Sequence, residues 1–233
     1  MTASCSICIP FTTDHHERAL VAEWTIARWR ALCPDAEICI GEDVSGDALC
    51  NRSRMRNNAV KQATRDVLLI VDADVCIYHP AELTALSALS REVGMATYFR
   101  YLPLRYDETV DLLSESPDVR LPIPHGIESR SASFAGAMFC ITRKYFDQIG
   151  GFDERCVGWG CEDPIMLLAI ETFCGPIVRV PYYLYHLWHA NGADKNAMSP
   201  TYLRNRELWE KYNLAQGDPV AMRRVIEEPF LCP

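Results

Sequence analysis

The run Asp66-Val67-Leu68-Leu69-Ile70-Val71, followed at once by Asp72-Ala73-Asp74, limits what this chain can fold into more than any other stretch. From Val67 to Val71 no side chain is polar, and Val67, Ile70 and Val71 are β-branched. The segment therefore predicts a strand covered on both faces, as in a parallel sheet. Open α/β sheets hold their ligands beyond the carboxyl ends of such strands, and two carboxylates stand there. Alternate side chains of an extended segment point the same way. Asp72 and Asp74 can thus meet one hard cation and, through it, a diphosphate. An acidic turn after a strand is the competing reading of this triplet taken alone.

The flanking segments alternate. Residues 5–10 read as a first strand, and residues 18–32 as a helix with Leu20, Val21, Trp24, Ala27 and Ala31 at helical spacing and Pro34 beyond it. Residues 37–41 form a second strand closing on Glu42-Asp43, and residues 53–63 a helix leading into the third. Strand, helix, strand, helix, strand is a nucleotide-binding half-sheet. Residues 80–89 predict a helix and 93–98 a strand. Residues 102–133, carrying Pro103, Pro117, Pro122 and Pro124, read as a loop-rich excursion suited to an acceptor. In the apolar run 134–141, Ala135, Gly136 and Ala137 are small enough for a ligand or another strand to approach the backbone. Thr142 is placed to cap a helix through Ile149. An apolar helix over 164–173 has Glu162 and Asp163 at its start, where capping alone would explain both acids. Residues 202–212 and 220–228 predict two closing helices.

A chain of 233 residues with 49% hydrophobic content can bury one substantial core. We expect one α/β domain over 1–198, with a nucleotide-binding half (1–100) and an acceptor and sugar half (101–198), and a helical extension, 199–233, packed on it. The net charge of -8 argues against nucleic acid or an anionic membrane as partner. No apolar run approaches the roughly 18 residues of a membrane helix, and the first residues lack a signal-peptide pattern. Eleven cysteines are an odd set. Cys8, Cys39, Cys76 and Cys140 sit in apolar runs, where a thiol behaves as a small buried hydrophobe. These features predict a cytoplasmic protein. Cys5-Ser6-Ile7-Cys8 has metal or redox spacing, but it lies inside a strand and has no second pair.

Five blocks then follow one another in a telling order: Asp72-Ala73-Asp74, Phe134-Ala135-Gly136-Ala137-Met138-Phe139, Tyr145-Phe146, Ile149-Gly150-Gly151-Phe152-Asp153-Glu154 and Gly158-Trp159-Gly160-Cys161-Glu162-Asp163. Together they resemble the glycosyltransferases of the A-type fold, in particular the polypeptide N-acetylgalactosaminyltransferases and the carboxy-terminal region of the β-1,4-galactosyltransferases. The likeness extends over residues 6–189. It implies a single Rossmann-like nucleotide-diphospho-sugar transferase domain with a mostly parallel central sheet flanked by helices. It also implies a UDP-sugar donor, Mn²⁺ or Mg²⁺, and a hydroxyl acceptor on a protein or glycan. By resemblance, Asp74 is the primary metal ligand. Asp72 reaches the metal or the ribose and sugar hydroxyls, with Ala73 between the two against the donor. His189 completes the metal site, and His186 stands where the galactosyltransferases have a metal-binding methionine. Imidazole with carboxylate suits Mn²⁺ and leaves Mg²⁺ open.

The resemblance also assigns the remaining candidates. Pro10, Phe11 and Thr12 match the segment along uracil and ribose, and Asp43 is placed to accept from either. Arg54 offers a planar donor fork to base or phosphate oxygens, against the plainer reading of a solvated helix start. Gly136 and Ala137 face the donor. Trp159 is a wall beside the sugar or else a core aromatic, and Glu162 meets sugar hydroxyls. Asp163 stands where the galactosyltransferases keep their base, which implies inversion, whereas the block from Phe134 to Glu154 is closer to the retaining polypeptide-modifying enzymes. Cys161 replaces the usual glycine and adds bulk. Residues 190–196 predict a lid over the donor. The chain resembles stand-alone bacterial or viral transferases. A non-catalytic nucleotide-sugar binder is the alternative. A sugar-nucleotide nucleotidyltransferase fits less well, because residues 10–14 lack a glycine-rich triphosphate loop.

Overall fold

The computed structural model describes residues 4–12, 16–46, 49–121, 130–131, 136–190 and 195–229. Phe134, Ala135 and most of the expected lid lie outside the described residues.

The first half is built as its pattern predicts. Strand β1 (Ser6–Pro10) pairs in parallel with β2 (Glu37–Gly41) and β3 (Val67–Val71), and helices α1 (His16–Leu32) and α2 (Arg52–Gln62) make the crossovers. Every residue of β1 and β3 is buried, which explains the unbroken apolar sequence of β3 and of Ile7 to Pro10 in β1. After β3 come β4 (Val75–Ile77), α3 (Pro80–Leu89), β5 (Met95–Pro103), α4 (Tyr106–Ser114), β6 (Arg130–Ser131), β7 (Met138–Thr142), α5 (Arg143–Ile149), α6 (Glu162–Phe173), β8 (Ile177–His186), α7 (Pro200–Ala215) and α8 (Pro219–Glu227). The strands lie in the order β2-β1-β3-β7-β5-β8-β4, with β6 on β5.

Two expectations are corrected. The sheet is mixed rather than mostly parallel: β5 and β8 are parallel, but β7 runs antiparallel to both β3 and β5, and β4 antiparallel to β8. Burial on both faces demands an apolar run whichever way the strand points, so the sequence of β7 carries no directional signal. The stretch 102–133 is also less irregular than its prolines suggest. β5 continues to Pro103, and α4 follows, its start fixed by the Glu108 carboxylate accepting from the Arg105 N–H at 2.8 Å.

The sheet has to bend. Val71 and Val75 are four residues apart, a reach of at most about 14 Å. In a flat sheet the strands between β3 and β4 would separate them by roughly 19 Å. The register of β5 on β8 shifts between Tyr98 and Arg100. There the distal halves of β5 and β8 turn over the end of β3 and carry β4 with them.

Thr142 caps α5 by accepting from the Tyr145 N–H at 3.4 Å, and Gly150 closes it in the left-handed region. The closing helices share the core: Leu208, Tyr212, Ala215 and Met222 join Phe139, Phe152 and Ile170 in one apolar cluster. Among the described residues no helix is long and apolar enough to cross a membrane.

The tightest helix–strand contact is at Gly41, where a Cβ would lie 2.0 Å from the Met55 carbonyl oxygen and 2.4 Å from the Ala59 nitrogen. Backbone on both sides cannot yield cheaply. Gly41→Ala is expected to cost about 2 kcal/mol and to lower Tm by roughly 4–8 °C. A thermal melt unchanged from wild type would contradict the packing of α2 on β2.

Candidate active site

The bend sets three side chains together. The Asp72 N–H donates to the Ala137 carbonyl at 2.9 Å, and the Leu187 N–H donates to the Asp74 carbonyl at 2.8 Å, so the turn is tied to β7 on one side and to the end of β8 on the other. Val75 is paired with His186. As a result Asp74 Oδ2 lies 2.8 Å from His189 Nε2 and 3.7 Å from His186 Nε2. One ligand atom from each of the three residues falls within 4.8 Å of the others.

The chemistry of this trio suits a divalent cation. Asp74 Oδ1 is buried and has no hydrogen-bond partner, which costs about 1–3 kcal/mol unless something else occupies the site. Burial opposes the Asp74 charge, but His186 and His189 outweigh it and hold the carboxyl down to about 2. Burial pushes His186 below the usual imidazole value. The bond to Asp74 pushes His189 up, so these two share a proton that a cation would displace. His189 Nδ1 lies 2.8 Å from the Ala190 carbonyl and so carries a hydrogen, which keeps Nε2 for a metal. That hydrogen also prevents the Arg18 guanidinium, 3.3 Å from Nδ1, from bonding there.

Asp72 stands apart from the trio, because it is held by Arg56. One Arg56 Nη donates to Asp72 Oδ1 at 2.9 Å and the other to Asp163 Oδ1 at 2.7 Å. The guanidinium is 2% exposed and lies over the Phe152 ring, 4.9 Å from its centroid, with Phe139 at 5.7 Å. Phe152 is fixed in turn by Asn57, which accepts from its N–H and donates to its carbonyl, both at 2.9 Å. Gly151 has φ +77, and a Cβ there would meet Asn57 Oδ1 at 2.8 Å. The Gly150-Gly151-Phe152 block therefore builds the floor beneath Arg56. Gly136 makes room for Asp163, whose Oδ2 would lie 2.5 Å from an added Cβ. Burial drives the Asp163 carboxyl up to about 6 against the pull of Arg56, with Glu162 and Asp72 adding to the rise.

Known proteins share this arrangement of chain and sheet. A family model described as the N-terminal domain of galactosyltransferase matches residues 122–190. Chondroitin sulfate N-acetylgalactosaminyltransferase 2 of Mus musculus is 28% identical over 152 residues, which are 63% of this chain and 28% of that protein. The chain thus spans little more than a quarter of that relative. The crystal structure of the catalytic domain of Drosophila beta1,4-galactosyltransferase 7, in complex with xylobiose, gives a TM-score of 0.57 at 15% identity, covering 87% of this chain and 79% of that one. Its fold is that of the A-type glycosyltransferases. GalNAc-T7, crystallised with UDP, GalNAc and Mn²⁺, gives 0.53 at 16% identity, covering 90% of this chain and 49% of its own.

In this A-type fold the remaining candidates fall at the carboxyl ends of the parallel strands or around the start of α6. Pro10 ends β1, the Phe11 N–H extends the pairing to the Gly41 carbonyl at 2.9 Å, and Thr12 is half-buried beside it. Asp43 accepts from the Asn51 N–H at 3.0 Å and pairs with Arg54 at 3.1 Å. Arg54 also reaches Glu154 at 3.3 Å, so two residues expected to meet the nucleotide first meet each other. Trp159 stacks on Tyr202 at 5.3 Å, and Gly160 leaves room for that ring. Asn205 donates to the Val157 and Gly160 carbonyls and anchors the same loop to α7. Glu162 is paired with Arg52 at 3.0 Å. Cys161 and Ala137 adopt φ +74 and +75, conformations that cost L residues energy and that cluster at functional sites.

Sequence reading missed Arg56. Its signal was available, since Met55, Ala59 and Val60 make this the buried face of α2, and an arginine among them has to find carboxylates.

Added Mn²⁺ is expected to stabilise the wild-type protein by about 2.7 kcal/mol at a hundred times its Kd. Asp74→Ala and His189→Ala should remove that shift. Because His189 is pushed up, affinity should rise with pH until His189 is deprotonated and level off above. Calorimetric titration at several pH values checks both, and pH-independent binding would contradict this ligand set.

Proposed function

We propose that this chain transfers a sugar from a UDP-sugar to a hydroxyl of a protein or glycan acceptor. The observation that carries the reading is the meeting of Asp74, His186 and His189 at the carboxyl end of β3, where the second Asp74 oxygen is buried without a partner. The UDP, GalNAc and Mn²⁺ named for GalNAc-T7 lend support. Asp74, His186 and His189 would hold the cation, which as a Lewis acid stabilises the departing diphosphate.

The protein's own groups account for the rest. Pro10, Phe11, Thr12 and Asp43 border the base and ribose at the ends of β1 and β2. Trp159 and Glu162 border the sugar. Asp163 takes the acceptor proton: its Oδ1 is occupied by Arg56, and its Oδ2, beside Gly136, is left for the hydroxyl. As the acceptor oxygen bonds to the anomeric carbon, the bond to UDP breaks and the proton passes to Asp163, which inverts the configuration. A carboxyl near 6 is mostly ionised at neutral pH and still basic enough to serve.

A binder would hold the donor without consuming it. Incubation with UDP-GalNAc, UDP-Gal, UDP-GlcNAc and UDP-Glc in Mn²⁺ should release UDP from at least one, and Asp74→Ala should lose at least about 100-fold. Retention of every donor intact, despite tight binding, would favour the binder.

Asp163→Asn should lower kcat by about 10²–10⁴-fold. Because the base must be ionised, kcat/KM of the wild type should fall tenfold per pH unit below about 6. An acid limb that persists unchanged in Asp163→Asn would assign the base elsewhere.

A further inference from the structure

We propose that Arg56 is a positioning residue that holds the Asp163 carboxylate and the Asp72 carboxylate at a fixed separation across the donor site; the proposal rests on the transferase reading above. Arg56 touches neither donor nor acceptor in this role and acts through the two acids.

The two carboxylates come from unconnected elements, one from the end of β3 and one from the first turn of α6. The Arg56 guanidinium bonds to both. Its fork offers parallel donors in one plane, a geometry that an ammonium lacks. The side chains of Asp72 and Asp163 are 31% and 23% exposed, against 2% for Arg56, so the acids open to the cleft while their tether is sealed below. Phe152 and Phe139 fix the plane of the fork, and Asn57 fixes Phe152.

Stability alone does not call for this arrangement. A buried ion network is commonly no more stable than apolar residues of the same volume. What the network supplies is orientation: Oδ1 of each acid is pinned, and Oδ2 of Asp163 is left beside Gly136. The charged groups that act on Asp163 are Arg56 and Arg52 from α2, Asp72 from the end of β3, and Glu162 from its own helix. Arg56 is the largest influence lowering it against burial. Without Arg56 the acid would rise further and lose its readiness to accept a proton at neutral pH.

The test uses Arg56→Met, which keeps length and apolar packing, and Arg56→Lys, which keeps charge but not the fork. Each is made alone and in Asp163→Asn, and thermal melts identify the folded variants. Mn²⁺-dependent hydrolysis of UDP-GalNAc and UDP-Gal should fall about 100-fold in kcat for Arg56→Met. Arg56→Lys should lie between it and wild type. In the Asp163→Asn background the same changes should cost several-fold less than in wild type, because one of the two groups they position is already gone. Equal losses in both backgrounds, or a loss confined to KM, would overturn the proposal. Should Arg56→Met not fold, Arg56→Lys carries the same comparison.

A second readout needs no turnover. In the metal-free protein, carboxyl NMR should show the Asp163 midpoint rising by at least about one pH unit in Arg56→Met, which removes the charge. A midpoint that stays in place would also overturn the proposal. If wild type hydrolyses no UDP-sugar while the midpoint moves, the transferase reading fails and the control of Asp163 by Arg56 stands.

Discussion

A turn too short for the distance it must cover shapes this molecule. Asp72, Ala73 and Asp74 connect the buried strand β3 to β4 at the opposite edge of the strand order, and a flat sheet would not allow it. The irregular register between Tyr98 and Arg100 bends β5 and β8 over the end of β3, and β4 follows. The Asp74, His186 and His189 trio comes from that bend. It brings the last residues of β8 to the turn, so that an acid from the middle of the chain meets imidazoles more than a hundred positions later. It also leaves Asp72 on the near side of the turn, within reach of α2, while Asp74 faces the far side. The two aspartates of one short motif are thereby divided between two jobs.

That division clarifies how the acids differ. Asp74 is surrounded by groups that favour its charged form, and Asp163 by burial and neighbouring acids that disfavour it. The proposed function uses the first for a cation and the second for a proton. Opposed environments of this kind are how a protein draws different chemistry from the same functional group.

Much of this was legible in the sequence, and the exceptions have identifiable causes. β3 was readable because a strand covered on both faces has nothing but apolar side chains, β1 and β2 because short apolar runs end on Pro10 and Gly41, and the helices between them carry their own spacing and stops. The convergence of Asp74 with His189 followed from the resemblance in block order, and the structure brings the two to 2.8 Å. The direction of β7 was not legible, since covering both faces looks the same in either sense. α4 was hidden because prolines flank it without entering it. Met55, Ala59 and Val60 mark the inward face of α2 on which Arg56 lies, but which carboxylates an arginine there meets depends on packing that the sequence does not carry.

The fastening of the 157–160 loop to α7 has a broader implication. Asn205 and Tyr202 belong to the last fifth of the chain, yet they set the posture of Trp159 and of the turn that introduces Glu162 and Asp163. A segment that contributes no strand to the sheet thus fixes the posture of a loop on its far side. Under the proposed function, exchanging that tail for a foreign one would shift the wall beside the sugar while sparing the sheet.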